Sequence, residues 1–146
     1  MPTKLQVLEQ YFGYPSFRPG QEELIDALLS GRDVLGVLPT GAGKSLCYQV
    51  PALLMEGITL AVSPLISLMK DQVMALVHKG VRGAYLNSSL TWNQYRAALR
   101  NARAGVYKII YVAPERLLTP EFLDFAKSAP ISMVTVDEAH CLSQWG

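Results

Sequence analysis

The sequence lacks long hydrophobic runs, cysteine clusters and any strong excess of one charge. Its apolar runs, such as residues 50–55 and 58–62, are far shorter than the roughly 20 residues that a membrane-spanning helix needs, so we expect no membrane partner. The amino terminus also lacks the basic-then-apolar pattern of a signal peptide, which favours an intracellular protein.

The two cysteines and the charge balance exclude further classes of protein. Cys47 and Cys141 are far apart and lack metal-ligand spacing, so we expect reduced thiols rather than a disulfide or a zinc site. A net charge of +1 gives no overall attraction to nucleic acid, so any such contact must be local and directed to the backbone. With 146 residues, 50% hydrophobic and 17% charged, the chain suits one soluble globular domain.

A phosphate-binding pattern is present but lacks its first glycine. The P-loop pattern G-x-x-x-x-G-K-[ST] has Leu38 in that place and ends in Gly43, Lys44 and Ser45. A short apolar strand at 33–38 precedes the loop and a helix follows it, so unpaired N–H groups at the helix start converge where an anion can accept them. The alternative is an ordinary glycine-rich turn with a surface lysine.

Each remaining position of this loop suits a nucleotide. Gly41 and Gly43 let the backbone approach a phosphate closely. Lys44 would reach the β and γ phosphates, and the Ser45 hydroxyl would be a ligand of Mg²⁺. The predicted nucleotide-binding residues of the loop are Thr40, Gly41, Ala42, Gly43, Lys44 and Ser45.

Short apolar strands alternate with helices along the chain, which predicts an α/β fold with a parallel sheet and helices on both faces. The strands after the loop are expected at 58–62, 83–86, 107–112 and 133–136. Two helices should begin with capping boxes, Thr3 with Gln6 and Thr91 with Gln94.

Three details of the helices are also predicted. Gly13 should end the first helix, and Pro51 should kink or end the helix after the loop. In the helix that follows strand 58–62, the apolar spacing predicts that Leu65, Leu68, Met69, Val73 and Leu76 face inward.

Two carboxylates come directly after the last strand. In an open parallel sheet, ligands bind outside the carboxyl ends of the strands, so Asp137 and Glu138 should lie at the same edge as the P-loop. Asp137 is the candidate for holding Mg²⁺, and Glu138 is the candidate for orienting the attacking water. The alternative is a solvated acidic turn.

The residues from Asp137 to Gly146, DEAHCLSQWG, resemble the RecQ family of superfamily 2 helicases. Residues 12–21, 39–45, 61–73 and 111–117 resemble that family's other motifs in the right order. In this superfamily the first P-loop glycine is routinely absent, which accounts for Leu38. The resemblance implies that residues 1–146 are the N-terminal part of the ATP-binding, RecA-like P-loop domain, incomplete at its C-terminal end, with the second RecA-like domain absent.

The resemblance also implies roles for single residues around the nucleotide. Tyr14 would stack on adenine, Gln21 would hydrogen-bond the edge of the base, and Arg18 would support the site. Lys44, Asp137 and Glu138 would be catalytic. The alternative for Tyr14 is packing between the first two helices.

A second group of residues would contact DNA or couple it to the nucleotide. By resemblance, Ser63, Pro64 and Lys70 would face single-stranded DNA, although a plain solvated position is the alternative for Lys70. His140, Gln144 and Trp145 would couple DNA binding to ATP hydrolysis. Glu115 and Arg116 are open to a structural role.

The implied function is that of an ATP-dependent 3′ to 5′ DNA helicase acting on single-stranded or forked DNA in repair and recombination, with ATP and Mg²⁺ as cofactors. The chain alone should bind ATP but hydrolyse it poorly, because the arginines of the second domain are needed. The cytoplasm, with the bacterial nucleoid, is the favoured location, or the nucleus in a eukaryote. The alternatives are a nucleotide-gated DNA-binding or regulatory module without unwinding activity, and a metabolite kinase with a lid and an acceptor pocket.

Overall fold

The computed structural model describes residues 3–18, 21–29, 46–63 and 66–136. The chain divides into two compact units, Met1–Glu56 and Gly57–Gly146, and each is described by itself. The predicted strand at 33–38 and the P-loop lie outside the described residues. None of the helices in the described ranges has the length and apolar character needed to cross a membrane.

The first unit opens with a capped helix, as predicted. Helix α1 is Lys4–Val7, and Thr3 Oγ1 accepts a hydrogen bond from Gln6 N at 3.2 Å while Gln6 Oε1 accepts one from Thr3 N at 2.8 Å. The helix continues as a π-helix, Leu8–Phe12, and stops at Gly13, whose φ of 77° belongs to the left-handed region that glycine adopts without strain. Both predicted ends of this segment are therefore confirmed.

Two more helices complete the described part of the first unit. Helix α2 is Gln21–Leu29 and helix α3 is Leu46–Leu54, and these two helices pack on each other. Lys4 Nζ ties α1 to α2, since it lies 3.2 Å from Glu22 Oε2 and 2.5 Å from Asp26 Oδ1. Helix α3 does not end at Pro51 but continues to Leu54. Proline has no backbone N–H, so one hydrogen bond of the helix is missing at this position.

The second unit is built on a four-stranded parallel sheet, which confirms the predicted fold class. Its strands are β1, Ile58–Val62; β2, Gly83–Leu86; β3, Ile109–Val112; and β4, Ile131–Val136. They lie in the order β2-β3-β1-β4, and each neighbouring pair is parallel. All residues of β1 are buried, because strands flank it and helices cover the sheet. Compared with the sequence prediction, β3 begins two residues later and β4 two residues earlier.

Helices cover both faces of this sheet. Helix α4, Ile66–His78, lies on the face where Gly83 is located, since a Cβ at position 83 would meet Leu76 and Val73 of α4. Helices α5, Trp92–Arg103, and α6, Pro120–Ser128, pack on the other face. A single apolar cluster joins these two helices to the strands, and its members are Ile58, Leu60, Leu86, Tyr95, Leu99, Ala102, Ile110, Val112, Phe122 and Phe125.

One prediction for α4 is wrong. Met69, Val73 and Leu76 are buried as expected, but Leu68 is 46% exposed, and Leu65 lies outside the described residues. The three buried residues already form a stripe at spacings of four and three, and residue 68 lies about 100° around the helix from residue 69. The stripe that faces the sheet is narrower than the apolar sequence pattern.

Candidate functional site

The described part of the predicted nucleotide site is centred on Gln21. Its Oε1 accepts a hydrogen bond from the backbone N–H of Arg18 at 2.7 Å, and its own backbone N–H donates to the carbonyl of Arg18 at 3.1 Å. Gln21 is 3% exposed. The two reciprocal bonds close the turn before α2, so the position of Arg18 and the orientation of the Gln21 amide are set together.

The aromatic residues of the same segment differ in their exposure. Tyr14 lies exposed just after the first helix, whereas Phe17 is partly buried. An exposed ring has a face available for stacking on a base, and a buried ring serves packing. The exposure of Tyr14 is compatible with stacking on adenine, which stays a prediction.

The carboxyl ends of three strands are aligned at one edge of the sheet. Val62 at the end of β1 pairs with Val112 of β3 on one side and with Val136 of β4 on the other. The next residue after β1 is Ser63, and a 3₁₀ turn, Pro114–Arg116, follows β3 after one residue. Because β1 and β3 are parallel neighbours, Ser63 and the turn after β3 start side by side. The predicted neighbourhood of the P-loop and of Asp137 and Glu138 lies outside the described residues.

Two predicted DNA-contact residues lie in the described part of the second unit. Ser63 is fully buried, and its backbone N–H donates to the carbonyl of Val112 at 3.0 Å, which extends the ladder between β1 and β3. Lys70 is exposed on α4. Exposure of Lys70 suits both a phosphate contact and a solvated helix face, so both alternatives stay open.

Asn87 is a polar residue at this edge that the sequence analysis did not select. It follows β2 directly and is buried, with Nδ2 donating to Met69 Sδ at 3.4 Å. Its Oδ1 accepts from Ser89 N at 2.9 Å and from Ser89 Oγ at 2.5 Å. Asn87 thus fixes the turn between β2 and α5 and links it to α4. The sequence feature that could have identified Asn87 is its position, since it is a polar residue immediately after a strand of a parallel sheet.

The other predicted site residues lie outside the described residues. They are Thr40, Gly41, Ala42, Gly43, Lys44, Ser45, Pro64, Asp137, Glu138, His140, Gln144 and Trp145. Within the described ranges no group of three or more His, Cys, Asp or Glu side chains could hold a metal. Cys47 is a buried thiol in α3, and burial raises its pKa, which makes it a poor nucleophile near neutral pH.

The fold and the aligned strand ends define the class of the protein, an α/β protein with a parallel sheet. A crystal structure of a hypothetical ATP-dependent RNA helicase from Sulfolobus tokodaii has the same fold. It matches with a TM-score of 0.75 and 24% sequence identity, over 100% of this chain and 44% of that chain.

Residues 18–146 match the DEAD/DEAH box helicase family, and the chain belongs to that family. It is 52% identical to the ATP-dependent DNA helicase RecQ of Pasteurella multocida over 99% of this chain and 23% of that protein. It is 50% identical to RecQ of Haemophilus influenzae, over the same shares of both chains. It is 49% identical to the probable ATP-dependent DNA helicase RecS of Bacillus subtilis, over 99% of this chain and 29% of that protein.

These matches confirm the resemblance to RecQ helicases that the motifs indicate. The chain spans only 23–29% of the length of these relatives.

Proposed function

We propose that this chain is the ATP-binding part of an ATP-dependent DNA helicase that moves 3′ to 5′ and couples ATP hydrolysis to strand separation in repair and recombination. The observation that carries the proposal is the row formed by Val112, Val62 and Val136. Ser63 and the turn Pro114–Arg116 follow two of these strands at one edge of the sheet, and in the sequence the DEAH motif comes directly after the third. A motor needs its nucleotide and DNA segments to be neighbours at such an edge. The similarity to RecQ helicases supports DNA as the polymer.

Each nucleotide-site residue has a defined task in this proposal. The backbone of residues 40–45 and the Lys44 ammonium would hold the phosphates, Ser45 and Asp137 would hold Mg²⁺, and Glu138 would orient the attacking water. When bound, ATP supplies the bond that is broken and Mg²⁺ neutralises the phosphate charge. These residues have the chemistry that Mg²⁺ and a triphosphate need, since they provide one ammonium, one hydroxyl and two carboxylates.

The adenine end of the nucleotide is assigned to Tyr14 and Gln21. The carbonyl oxygen of the Gln21 amide is bonded to the Arg18 backbone, so a bond to a base would use the N–H end of the amide. An N–H donor suits the acceptor nitrogens of a purine edge. Tyr14 is exposed in the same unit and would cover the face of the base.

The DNA side of the proposal rests on residues that follow the strands. Pro64 and Lys70 would meet the backbone of single-stranded or forked DNA. Ser63 is fully buried and its backbone N–H is bonded to Val112, so it would support this contact from the end of β1 rather than make it. His140, Gln144 and Trp145 would transmit that contact to Asp137 and Glu138. A location in the cytoplasm, or in the nucleus of a eukaryote, goes with this function as a prediction.

The test is ATP hydrolysis by the full-length protein with and without single-stranded DNA. We expect DNA to stimulate turnover at least tenfold. Lys44→Ala should abolish ATP binding and turnover together, whereas Glu138→Gln should keep ATP binding and lose turnover. Nucleotide binding without turnover in the wild type would favour the nucleotide-gated module instead, and turnover that ignores DNA would contradict the helicase.

A further inference from the structure

Helices α5 and α6 line a groove that contains none of the residues assigned to the proposed function. Its volume is about 560 Å³, and its lining includes Trp92, Arg96, Leu99 and Arg100 from α5 and Glu121 and Asp124 from α6. Trp92 is 52% exposed, although its ring stacks with the ring of Tyr95 at a centroid distance of 6.1 Å, so much of a large apolar side chain is left in water. Leu99 is buried and forms the apolar floor.

The charge on α5 is of one sign. The helix carries Arg96, Arg100 and Arg103 and no acidic residue. Arg103 is already paired, with Nη2 2.9 Å from Asp124 Oδ2. Arg96 and Arg100 have no acidic partner among the residues that the structure describes, and Arg96 lies over the ring of Trp92, with Cζ 5.9 Å from the ring centroid.

Trp92, Arg96 and Arg100 are spaced four residues apart, so they lie on one face of α5 at intervals of about 6 Å. In an extended peptide, every second side chain points the same way, at intervals of about 6.6 Å. Three alternate side chains of such a peptide therefore match the three residues in spacing. Trp and Arg are also the residue types that most often dominate binding energy at protein interfaces.

We infer that this groove binds a short acidic segment of a partner protein, with the pattern apolar-x-acidic-x-acidic. Its two carboxylates pair with Arg96 and Arg100, and its apolar side chain covers the exposed ring of Trp92. Arginine binds a carboxylate through two parallel N–H bonds, which favours this pairing over a plain charge contact. None of the residues that line the groove is assigned to the proposed ATP or DNA sites.

A peptide suits the groove better than a nucleic-acid strand. The wall that α6 contributes carries Glu121 and Asp124, whose carboxylates repel a continuous chain of phosphates. A peptide alternates its side chains, so it can place its acids against α5 and uncharged groups against α6. The mixed charge of the two walls is therefore complementary to a peptide of mixed composition.

The experiment measures binding of a fluorescein-labelled peptide, Gly-Ser-Phe-Ser-Asp-Ser-Asp-Gly, to the full-length protein by fluorescence anisotropy. A peptide with Asn in place of both Asp residues and a single-stranded oligonucleotide are the comparison probes. We expect Arg96→Ala and Arg100→Ala each to raise the Kd of the acidic peptide at least fivefold. Arg82→Ala is the matched control, because it removes an exposed arginine outside the groove and should leave the Kd unchanged.

The remaining arms decide between the possible occupants. Trp92→Ala should raise the Kd of the Phe-containing peptide and have little effect on the Kd of a peptide with Gly in place of Phe. The inference is overturned if the wild type does not bind the acidic peptide, if the Asn peptide binds equally well, or if Arg82→Ala weakens binding as much as Arg100→Ala. It is also overturned if Arg96→Ala and Arg100→Ala weaken only the oligonucleotide, which would make the groove a nucleic-acid site.

Discussion

The guanidinium of Arg116 lies over the ring of Tyr95, with Cζ 4.9 Å from the ring centroid. Tyr95 is 2% exposed in the core between α5 and the sheet, and Arg116 ends the 3₁₀ turn after β3. The contact therefore joins that turn to α5 at the edge where the candidate DNA residues begin. It gives Arg116 the structural role that the sequence left open.

The same pair contains an unusual polar feature that can be tested. The Tyr95 hydroxyl is buried and has no hydrogen-bond partner among the described residues. A buried polar group without a partner costs about 1–3 kcal/mol, so Tyr95→Phe should leave the free energy of unfolding unchanged or raise it. Arg116→Ala should lower it by about 0.5–2 kcal/mol through loss of the ring contact. Chemical denaturation measures both, and a clear loss of stability in Tyr95→Phe would show that the hydroxyl has a partner.

Gly57 occupies a position that no other residue suits. Its φ is 90°, and a Cβ built there would clash with the carbonyl oxygen of Pro130, which accepts the hydrogen bond of Ile58 N at 2.9 Å. Gly57→Ala should therefore cost more than the roughly 1–3 kcal/mol of a strained backbone alone. Gly105→Ala is the matched control, because its φ of 79° is similar and nothing lies within 4 Å of its Cβ position. Equal losses of stability in the two variants would mean that the clash is relieved by movement.

The cap of α5 provides a third prediction. Thr91 Oγ1 accepts from Gln94 N at 3.2 Å, and Gln94 Oε1 accepts from Thr91 N at 2.9 Å. Thr91→Ala removes an acceptor for a helix N–H group and should lower the free energy of unfolding by about 0.5–2 kcal/mol. Thr91→Ser keeps the hydroxyl and should stay close to the wild type in thermal denaturation. If Ser and Ala are equally destabilising, the hydroxyl bond is not the source of the effect.

The features that the sequence predicts well are local ones. The two capping boxes depend on residues three apart, and β1 and β2 have the predicted bounds because each is a short apolar run between turns. The alternation of strands and helices then restricts the sheet to parallel pairing.

The features that the sequence does not predict depend on residues far apart in the chain. Leu68 is exposed because the width of the buried stripe on α4 is set by the sheet, not by the helix. The Arg116 contact with Tyr95 and the Asn87 contact with Met69 bring together residues that are 21 and 18 positions apart. Their existence depends on the order β2-β3-β1-β4, which the strand sequences alone do not fix.

The two ends of the Gln21 amide have different tasks in the proposed site: the oxygen accepts from Arg18 N, and the N–H end is assigned to the base. Gln21→Glu keeps an oxygen that accepts from Arg18 N at the start of α2, so the turn before the helix should be kept, at some cost in stability because the residue is 3% exposed. The same change removes the N–H donors and adds a negative charge beside the base. The Kd for ATP, measured with a fluorescent analogue, should therefore rise at least tenfold, or about 1.4 kcal/mol.

Gln10→Glu provides the control for this last change, since it adds the same charge at an exposed position of the π-helix and should leave both ATP binding and thermal unfolding unaltered. Gln21→Ala should weaken ATP binding and lower the melting temperature, because it removes both the acceptor that closes the turn and the donor for the base. If Gln21→Glu binds ATP like the wild type, the amide serves only to cap α2, and adenine recognition must come from other residues of the segment.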